Sequence, residues 1–444
     1  MTKILSKLQI SKSFLIFLLL GIFSRFYNLT NRLYFVWDNG RDAWAIDKIV
    51  HGDLALIGHT SGIAGFFLGP AWFYLGSIGH ILGKGNPWVI SYWYILVTAS
   101  SIPIFWLLSS SLFRDKSWQL LSSYLLLLIP ASIHWSSFVW NPMITIPLMA
   151  GTYYCLLKAR KSRVFLVTSF FLIALALQFE FAYAVFFIPP LFLLIPWIRK
   201  KINLKDLLYS AIAVSATLAP QILFELRNKF IMTKSLIAAL TDKSKSLSWI
   251  DLWQSRPEAL FTTTQNQIFG NSVIAKLSMM LVLIILGIGV FLLLSKKINK
   301  KNSYKWQISF ILTLIPYFFF MLWRGNNGNF FDYYLTPHFV FVLPTLLLII
   351  QYIVKEKILS FKKVNFGLAI LGFLLITANL ASIKHIKDTI LFVDNQAGMK
   401  TMSIAIAQLY NWQDQDGINQ GVFRIFTPNR ETEHYDYLIH WQAK

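Results

Sequence analysis

Residues 158–201 read KARKSRVFLVTSFFLIALALQFEFAYAVFFIPPLFLLIPWIRKK, and this stretch indicates a helical membrane protein. Two apolar runs, 164–180 and 181–198, lie between two basic clusters, and each run approaches the roughly 20 residues that a helix needs to cross a membrane. Basic clusters beside apolar runs are typical of cytoplasmic loops. We therefore expect both clusters on the cytoplasmic side, with the two runs forming a hairpin whose tip, 178–183, faces outward.

The composition of the whole chain agrees with a membrane protein. Of its 444 residues, 56% are hydrophobic and 14% are charged, and its mean hydropathy is +0.54. Soluble domains carry about 25% charged residues, so this composition excludes a soluble enzyme. Much of the formal net charge of +21 comes from basic clusters beside apolar runs, so we expect no nucleic-acid partner. The single cysteine, Cys155, excludes an intramolecular disulfide and a thiolate metal cluster.

About twelve apolar runs have the length of membrane-crossing helices, and we predict about eleven to thirteen crossings. These runs cover residues 13–29, 66–83, 88–112, 118–133, 142–157, 164–180, 181–198, 206–224, 277–294, 306–323, 335–354 and 364–383. The first run has no small-residue cleavage site and is interpreted as a retained span. The predicted fold is therefore an all-α polytopic membrane protein.

The basic clusters orient this helical bundle. They comprise Lys3, Lys7 and Lys12, followed by 158–163, 199–205, 296–305 and 355–363. If they are cytoplasmic, the segments outside are 30–65, 225–276, 324–334 and the chain after 383. One conflict arises, because two crossings at 66–83 and 88–112 would put 158–163 on the wrong side. Either 66–83 lies at the membrane surface or re-enters it, or the crossings within 118–157 are miscounted.

The chain divides into a transmembrane domain, 1–383, and a small extracytoplasmic tail, 384–444. Two stretches of the tail, 421–428 and 434–441, have the composition of strands, and the second alternates aromatic and polar residues with a period of two. We therefore predict a small C-terminal α/β cap.

The first outer loop, 30–65, carries the strongest candidate for catalysis. If a helix begins near Asp38, then Asp38, Arg41 and Asp42 share one face at positions i, i+3 and i+4. A carboxylate there could accept a proton from an incoming hydroxyl, and the guanidinium could neutralise a leaving phosphate. The alternative is an N-capping aspartate with a surface ion pair.

Several motifs in this order resemble those of GT-C membrane glycosyltransferases, in the branch of the protein O-mannosyltransferase-like and aminoarabinose-transferase-like enzymes. The resemblance covers about residues 1–383 and leaves out the tail. The motifs are DNGRDAWAI (38–46) followed by GD (52–53), LGPAWFY (68–74), HWSSFVWNP (134–142), QFE (178–180), PQILFELRN (220–228) and YYLTP (333–337).

The resemblance implies a GT-C-like bundle, a polyprenyl-phosphate-linked sugar as donor, a site at the outer membrane face and Asp38 as the catalytic base. Three positions depart from the pattern of some relatives. Asn39 and Asn141 stand where those relatives have acidic residues, and Gly69 stands where they have lysine. These losses weaken the case for a bound divalent metal, so no metal or cofactor is assigned. The acceptor stays open among a protein serine or threonine, a lipid-linked glycan and a cell-wall polymer.

Other polar residues near the outer face are weighed as substrate or phosphate contacts. Glu180, at the hairpin tip, contacts substrate or makes a structural hydrogen bond to a neighbouring helix. Arg227 binds phosphate or anchors a span at the interface. Arg324 adjoins a loop rich in glycine and asparagine that exposes backbone donors, although a plain membrane-end arginine is the alternative. The remaining candidates are His134, Asn141, Tyr333 and Tyr334, of which His134 fits an ordinary interfacial histidine better than a ligand.

Two rival functions make different predictions. A polysaccharide polymerase or ligase would have its essential residues in the later loop, 230–276. A lipid or sugar transporter would show internal repeats and broken helices near the membrane midplane, and we find no repeat in the sequence. The preferred hypothesis further expects the guanidinium groups of Arg41 and Arg324 to share one phosphate, within about 10 to 12 Å of each other.

Overall fold

The computed structural model describes residues 11–198, 203–241, 248–295, 297–298, 300–323, 329–356, 358, 360–361, 364–391, 398–415 and 432–443. Within these ranges the chain is almost entirely helical. The α-helices, numbered in chain order, are α1 Lys12–Phe26, α2 Leu29–Arg32, α3 Trp37–Val50, α4 Ala71–Gly83, α5 Pro87–Ala99, α6 Ser101–Leu112, α7 Lys116–Leu128, α8 Pro130–Trp135, α9 Thr145–Lys158, α10 Arg163–Phe179, α11 Phe181–Ala184, α12 Ile188–Ile198, α13 Leu204–Arg227, α14 Ile231–Thr241, α15 Trp249–Phe269, α16 Val273–Leu294, α17 Lys300–Leu322, α18 Phe339–Lys355, α19 Phe366–Ile386, α20 Met399–Gln415 and α21 Glu433–Gln442. Short 3₁₀ segments occupy Asn141–Ile144, Val185–Phe187 and Asp332–Leu335, and a π-helical turn occupies Lys387–Leu391. Two short antiparallel strands, Ser360–Phe361 and Val364–Asn365, complete the fold.

Five helical stretches in the described part of the chain are long and apolar enough to cross a membrane. They are Pro87–Leu112, Leu204–Arg227, Val273–Leu294, Ser303–Leu322 and Phe366–Leu391. Three shorter apolar helices, Arg163–Phe179, Phe181–Leu194 and Phe339–Lys355, lie among them. The prediction of an all-α polytopic protein is confirmed at this level, while the number of crossings stays a prediction.

Described residues of the basic clusters lie together at one end of the bundle, which we call the basic end. Arg163 forms an ion pair with Asp206, at the start of α13. The Lys305 ammonium donates hydrogen bonds to the carbonyls of Ser111 (2.6 Å) and Leu112 (2.9 Å) at the end of α6. Since these clusters are far apart in sequence, their convergence agrees with the predicted common side.

Helix α4 lies beside α3, at the end of the bundle away from the basic clusters. The indole of Trp72 donates to Asp42 (2.7 Å), and His80 contacts Asp47 (3.0 Å), so the two helices run parallel. The first residue of α4 contacts the hairpin tip, because Ala71 N donates to Gln178 Oε1 (3.2 Å). This arrangement agrees with the surface-lying alternative for 66–83, and the orientation of 158–163 stays a prediction.

The centre of the bundle is formed by α9 and α18, whose side chains are buried almost throughout. A buried arginine, which the sequence analysis did not single out, connects α1 to α7 and α8. Arg25 in α1 donates to Leu127 O (3.1 Å) and Ser132 Oγ (2.8 Å), at the break between α7 and α8. These hydrogen bonds offset part of the cost of burying the guanidinium, whose Nε has no partner among the described residues, and they hold α1 against the bundle.

The C-terminal tail differs from the predicted α/β cap. Residues 434–441, predicted as a strand, belong to helix α21, and the other predicted strand, 421–428, lies outside the described residues. The aromatic alternation was misleading because Tyr437 and Leu438, adjacent in sequence, are both fully buried, which a helix face allows and a half-exposed strand does not. The tail also packs on the first loop, since Met399 N donates to Leu33 O (2.9 Å).

Candidate functional site

The first turn of α3 presents the predicted charged cluster. Arg41 Nη1 lies 2.7 Å from Asp38 Oδ1, while its Nε and Nη2 donate to Asp42 Oδ1 at 3.0 and 2.7 Å. The helix start is capped by Asn39, whose Oδ1 accepts from Val36 N (3.0 Å). Because Asn39 caps the helix, Asp38 does not have the N-capping role of the alternative interpretation. The ion pair of that alternative is present.

Asp42 connects this cluster to helix α4. It is buried and also accepts the hydrogen bond from the Trp72 indole. Burial raises the pKa of Asp42, and the neighbouring Arg41 and Trp72 oppose this shift. Arg41 therefore sits between two carboxylates, with its planar group also lying 4.9 Å from the Trp37 ring. The contacts of Arg41 orient Asp38, and its predicted contact with phosphate stays a prediction.

A cavity of about 310 Å³ opens beside Asp38. Six of the predicted residues line it, and they come from four separate parts of the sequence. These residues are Asp38, Arg41, Asn141, Glu180, Tyr333 and Tyr334. The fold thus brings together the first loop, the 3₁₀ turn before α9, the hairpin tip and the segment before α18.

Glu180 occupies the junction between α10 and α11. Its side chain is 6% exposed and accepts a hydrogen bond from Ala182 N (3.2 Å). Asn141 is buried beside it, and its side-chain amide donates to the carbonyl of Phe179. Glu180 therefore faces a cavity in a setting where a hydrogen bond from a ligand would be shielded from water.

Three buried polar atoms in the cavity walls have no hydrogen-bond partner within the described residues. They are Trp37 Nε1, His59 Nδ1 and Asn141 Oδ1. Buried polar groups are nearly always paired, so such atoms around a cavity indicate a polar ligand or water. The set contains an obligate donor, an obligate acceptor and a ring nitrogen that serves as either, which matches a ligand rich in hydroxyl groups.

The sequence analysis did not identify two of these lining residues, Trp37 and His59. His59 reaches the cavity because residues 58–68 fold back on themselves, with Gly58 N donating to Leu68 O (2.7 Å) and Leu68 N to His59 O (3.0 Å). Burial and the nearby Arg41 lower the pKa of His59 to about 4, so it is neutral at pH 7. The position of Trp37 directly before Asp38 was an available signal, whereas nothing in the sequence pairs residue 59 with this site.

The remaining candidates lie elsewhere. Arg227 is exposed at the end of α13, and His134 packs against Phe138, with the rings 5.5 Å apart; neither residue lines the cavity. Asp42 lies behind Arg41. Arg324 falls outside the described residues, so its distance from Arg41 stays a prediction.

Helix α21 packs closely on the turn of α3 that carries Asp38. Gly40 faces the backbone of α21, and a Cβ atom at this position would lie 2.3 Å from both Cα and N of His434. Further along, the Trp44 and Tyr437 rings meet edge to face at 5.3 Å, and Tyr437 donates to Gly85 O (2.9 Å). The tail thus supports the helix that carries Asp38.

Two negative findings concern metal binding and related proteins. Among the described residues, no group of three or more histidine, cysteine, aspartate or glutamate side chains could hold a metal ion. No protein-family model and no curated protein matches the chain.

Proposed function

We propose that the protein is an integral membrane glycosyltransferase of the GT-C type, related to the O-mannosyltransferase-like and aminoarabinose-transferase-like branch. It crosses the cell membrane about eleven to thirteen times, with its active site on the extracytoplasmic face. It transfers one hexose or pentose from a polyprenyl-phosphate donor to a protein, lipid or glycan acceptor. The proposal rests chiefly on one observation: Asp38 and five other residues of the quoted motifs or their flanks line a single cavity.

In this mechanism Asp38 accepts the proton of the acceptor hydroxyl through the carboxylate, one oxygen of which is held by Arg41. The hydroxyl oxygen forms a bond to the anomeric carbon, and the bond from that carbon to the phosphate oxygen breaks on the opposite side. The phosphate leaves with the electron pair, so the configuration at the anomeric carbon inverts. Arg41 and Arg324, with Arg227 as a further candidate, are the proposed cations for the leaving phosphate.

The size and chemistry of the cavity support a single sugar as the transferred group. A volume of about 310 Å³ lies at the lower end of small-molecule sites, and a long glycan would exceed it. The unpartnered atoms of Trp37, His59 and Asn141 match sugar hydroxyls, and the aromatic rings of Trp140 and Tyr333 offer apolar walls for a sugar ring.

The rival functions find less support. A polymerase or ligase would have its essential residues in 230–276, and no described residue of that segment lines the cavity. A transporter would need a polar site near the midplane, whereas this cavity lies beside α3 and the hairpin tip, away from the basic end. No divalent metal is needed for the proposed steps, and none is assigned.

The decisive variant is Asp38→Asn. A general base is worth about 10² to 10⁴ in rate, so transfer from radiolabelled polyprenyl-phosphate hexoses and pentoses should fall by that factor. Asp53→Asn is the matched control, because it removes an exposed carboxylate from the same loop. Both variants should insert and melt like the unmodified protein. Near-normal turnover by Asp38→Asn would refute the proposed role, and transfer from none of the donors by the unmodified protein would refute the donor class.

A further inference from the structure

A second cavity, of about 360 Å³, lies at the basic end of the bundle, apart from the proposed active site. It is bounded by the end of α6, the start of α17 and the last turns of α18. Three cationic side chains line it, namely Arg114, Lys305 and Lys355, together with one carboxylate, Glu356. Its described walls therefore carry a net positive charge.

The three cations differ in what already binds them. Lys305 is partly buried and gives two of its three N–H donors to the carbonyls that end α6, so it holds the wall in place. Among the described residues, Lys355 has only a long contact with Asp115, at 3.9 Å. Arg114 is exposed and has no ion pair or hydrogen bond to any residue that the structure describes. Two of the three cations are thus open to an anion from outside the chain.

The positive field extends beyond the cavity walls. Lys158 and Lys161, together with Arg114, lie close enough to Lys305 to repel its charge. Other basic side chains at this end have partners, since Arg163 pairs with Asp206 and Arg160 lies over the Tyr304 ring at 4.5 Å. Orientation of the bundle needs only that basic residues be present on one side, and it does not require a cavity lined by them.

Apolar surface continues from the cavity along the bundle. Trp306, Leu348 and Ile298 form part of the wall. Tyr352, also in the wall, donates to Lys297 O (3.1 Å), and the Lys297 ammonium lies 5.9 Å from the Phe291 ring at the end of α16. On that helix Phe291 and Leu294 are 61% and 74% exposed. A ligand with an anionic head and hydrocarbon chains would match both surfaces, whereas a free anion would use only the first.

We propose that this cavity binds the phosphate group of an anionic phospholipid from the leaflet at the basic end, with the acyl chains lying along α16. Basic pockets between transmembrane helices recognise anionic head groups through direct charge contacts, worth about 1 kcal/mol per lysine or arginine. The assignment is independent of the glycosyltransferase proposal, because it uses none of the residues around Asp38.

The test measures retention of phosphatidylglycerol by the purified full-length protein, using native mass spectrometry and lipid-dependent thermal stabilisation. The double variant Arg114→Gln/Lys355→Gln should bind phosphatidylglycerol about 25-fold more weakly, the product of two factors of about 5. Lys205→Gln is the matched control, since it removes an exposed charge at the same end outside the cavity. Both substituted positions of the double variant are exposed, so folding should be preserved.

Two comparisons decide between the sources of the phosphate group. Phosphatidylcholine and millimolar inorganic phosphate should each give little stabilisation in the unmodified protein, and the phosphatidylglycerol effect should weaken at high salt. Equal retention of phosphatidylglycerol by the double variant and by Lys205→Gln would overturn the proposal. Stabilisation by inorganic phosphate that phosphatidylglycerol does not exceed would also overturn it, because the cavity would then be a free-anion site.

Discussion

Gly40→Ala tests whether the C-terminal helix positions the turn that carries Asp38. The added Cβ would lie 2.3 Å from Cα and N of His434 and 2.5 Å from the carbonyl carbon of Glu433. These are backbone atoms, so no side-chain rotation relieves the overlap. Helix α21 has to move by about 1 Å to restore ordinary contact distances, and the contact between Trp44 and Tyr437 should loosen with it.

The expected cost follows from two opposing terms. Overpacking of a well-fitted contact costs about 1–3 kcal/mol, while alanine in place of glycine inside a helix recovers up to about 1 kcal/mol. We therefore expect a net loss of about 1–2 kcal/mol in the free energy of unfolding. Activity should fall as well, because Gly40 lies between Asp38 and Arg41.

The assay compares melting temperature, protease sensitivity of the tail and sugar transfer. Gly287→Ala and Gly372→Ala are matched controls, since a Cβ at either position meets nothing within 4 Å. Only Gly40→Ala should lower the melting temperature and expose the tail to protease. If all three variants melt alike and the tail stays protected, the close packing of α21 on α3 is not what holds the tail.

Three more predictions address the charges and the orientation. Asp42→Asn leaves Arg41 with one carboxylate partner, so thermal unfolding should show a loss of about 1–3 kcal/mol and transfer should fall; an unchanged melting curve would contradict this. Folding lowers the pKa of His59 from 6.5 to about 4, so between these pH values the unfolded chain binds more protons than the folded one. The contribution of His59 to stability is therefore complete above about pH 6.5 and is lost as the pH falls towards 4. Melting curves of His59→Gln should lack that part of the pH dependence, and a slope equal to that of the unmodified protein would count against it. In intact cells an impermeant maleimide should label a cysteine introduced at Asp53 and spare one at Lys161, and the reverse pattern would invert the predicted orientation.

The contacts of Arg41 change the role that it has in the proposed site. The hypothesis from the sequence assigns Arg41 to the leaving phosphate. In the structure its guanidinium contacts Asp38 and Asp42, so it acts first on the orientation of the proposed base. Binding of the proposed leaving phosphate therefore depends more on cations outside this cluster, of which Arg324 is the first candidate.

The helical, polytopic character of the chain and the position of its basic end follow from local sequence patterns. Apolar runs and basic clusters are local features, and the membrane acts on each of them separately. The motif around Asp38 was also readable, because i, i+3 and i+4 spacing on one helix needs no tertiary contact. For the same reason the helices Arg163–Phe179 and Phe339–Lys355 lie close to the predicted runs.

Which distant residues meet depends on the packing of the helices. The hydrogen bond from Trp72 to Asp42 places α4 beside α3, and the return of residues 58–68 brings His59 to the cavity. The tail was predicted incorrectly at 434–441 because burial of Tyr437 against α3 overrides a period-two pattern. Such contacts depend on how separate helices pack, and a short sequence pattern contains no information about the partner surface that will bury it.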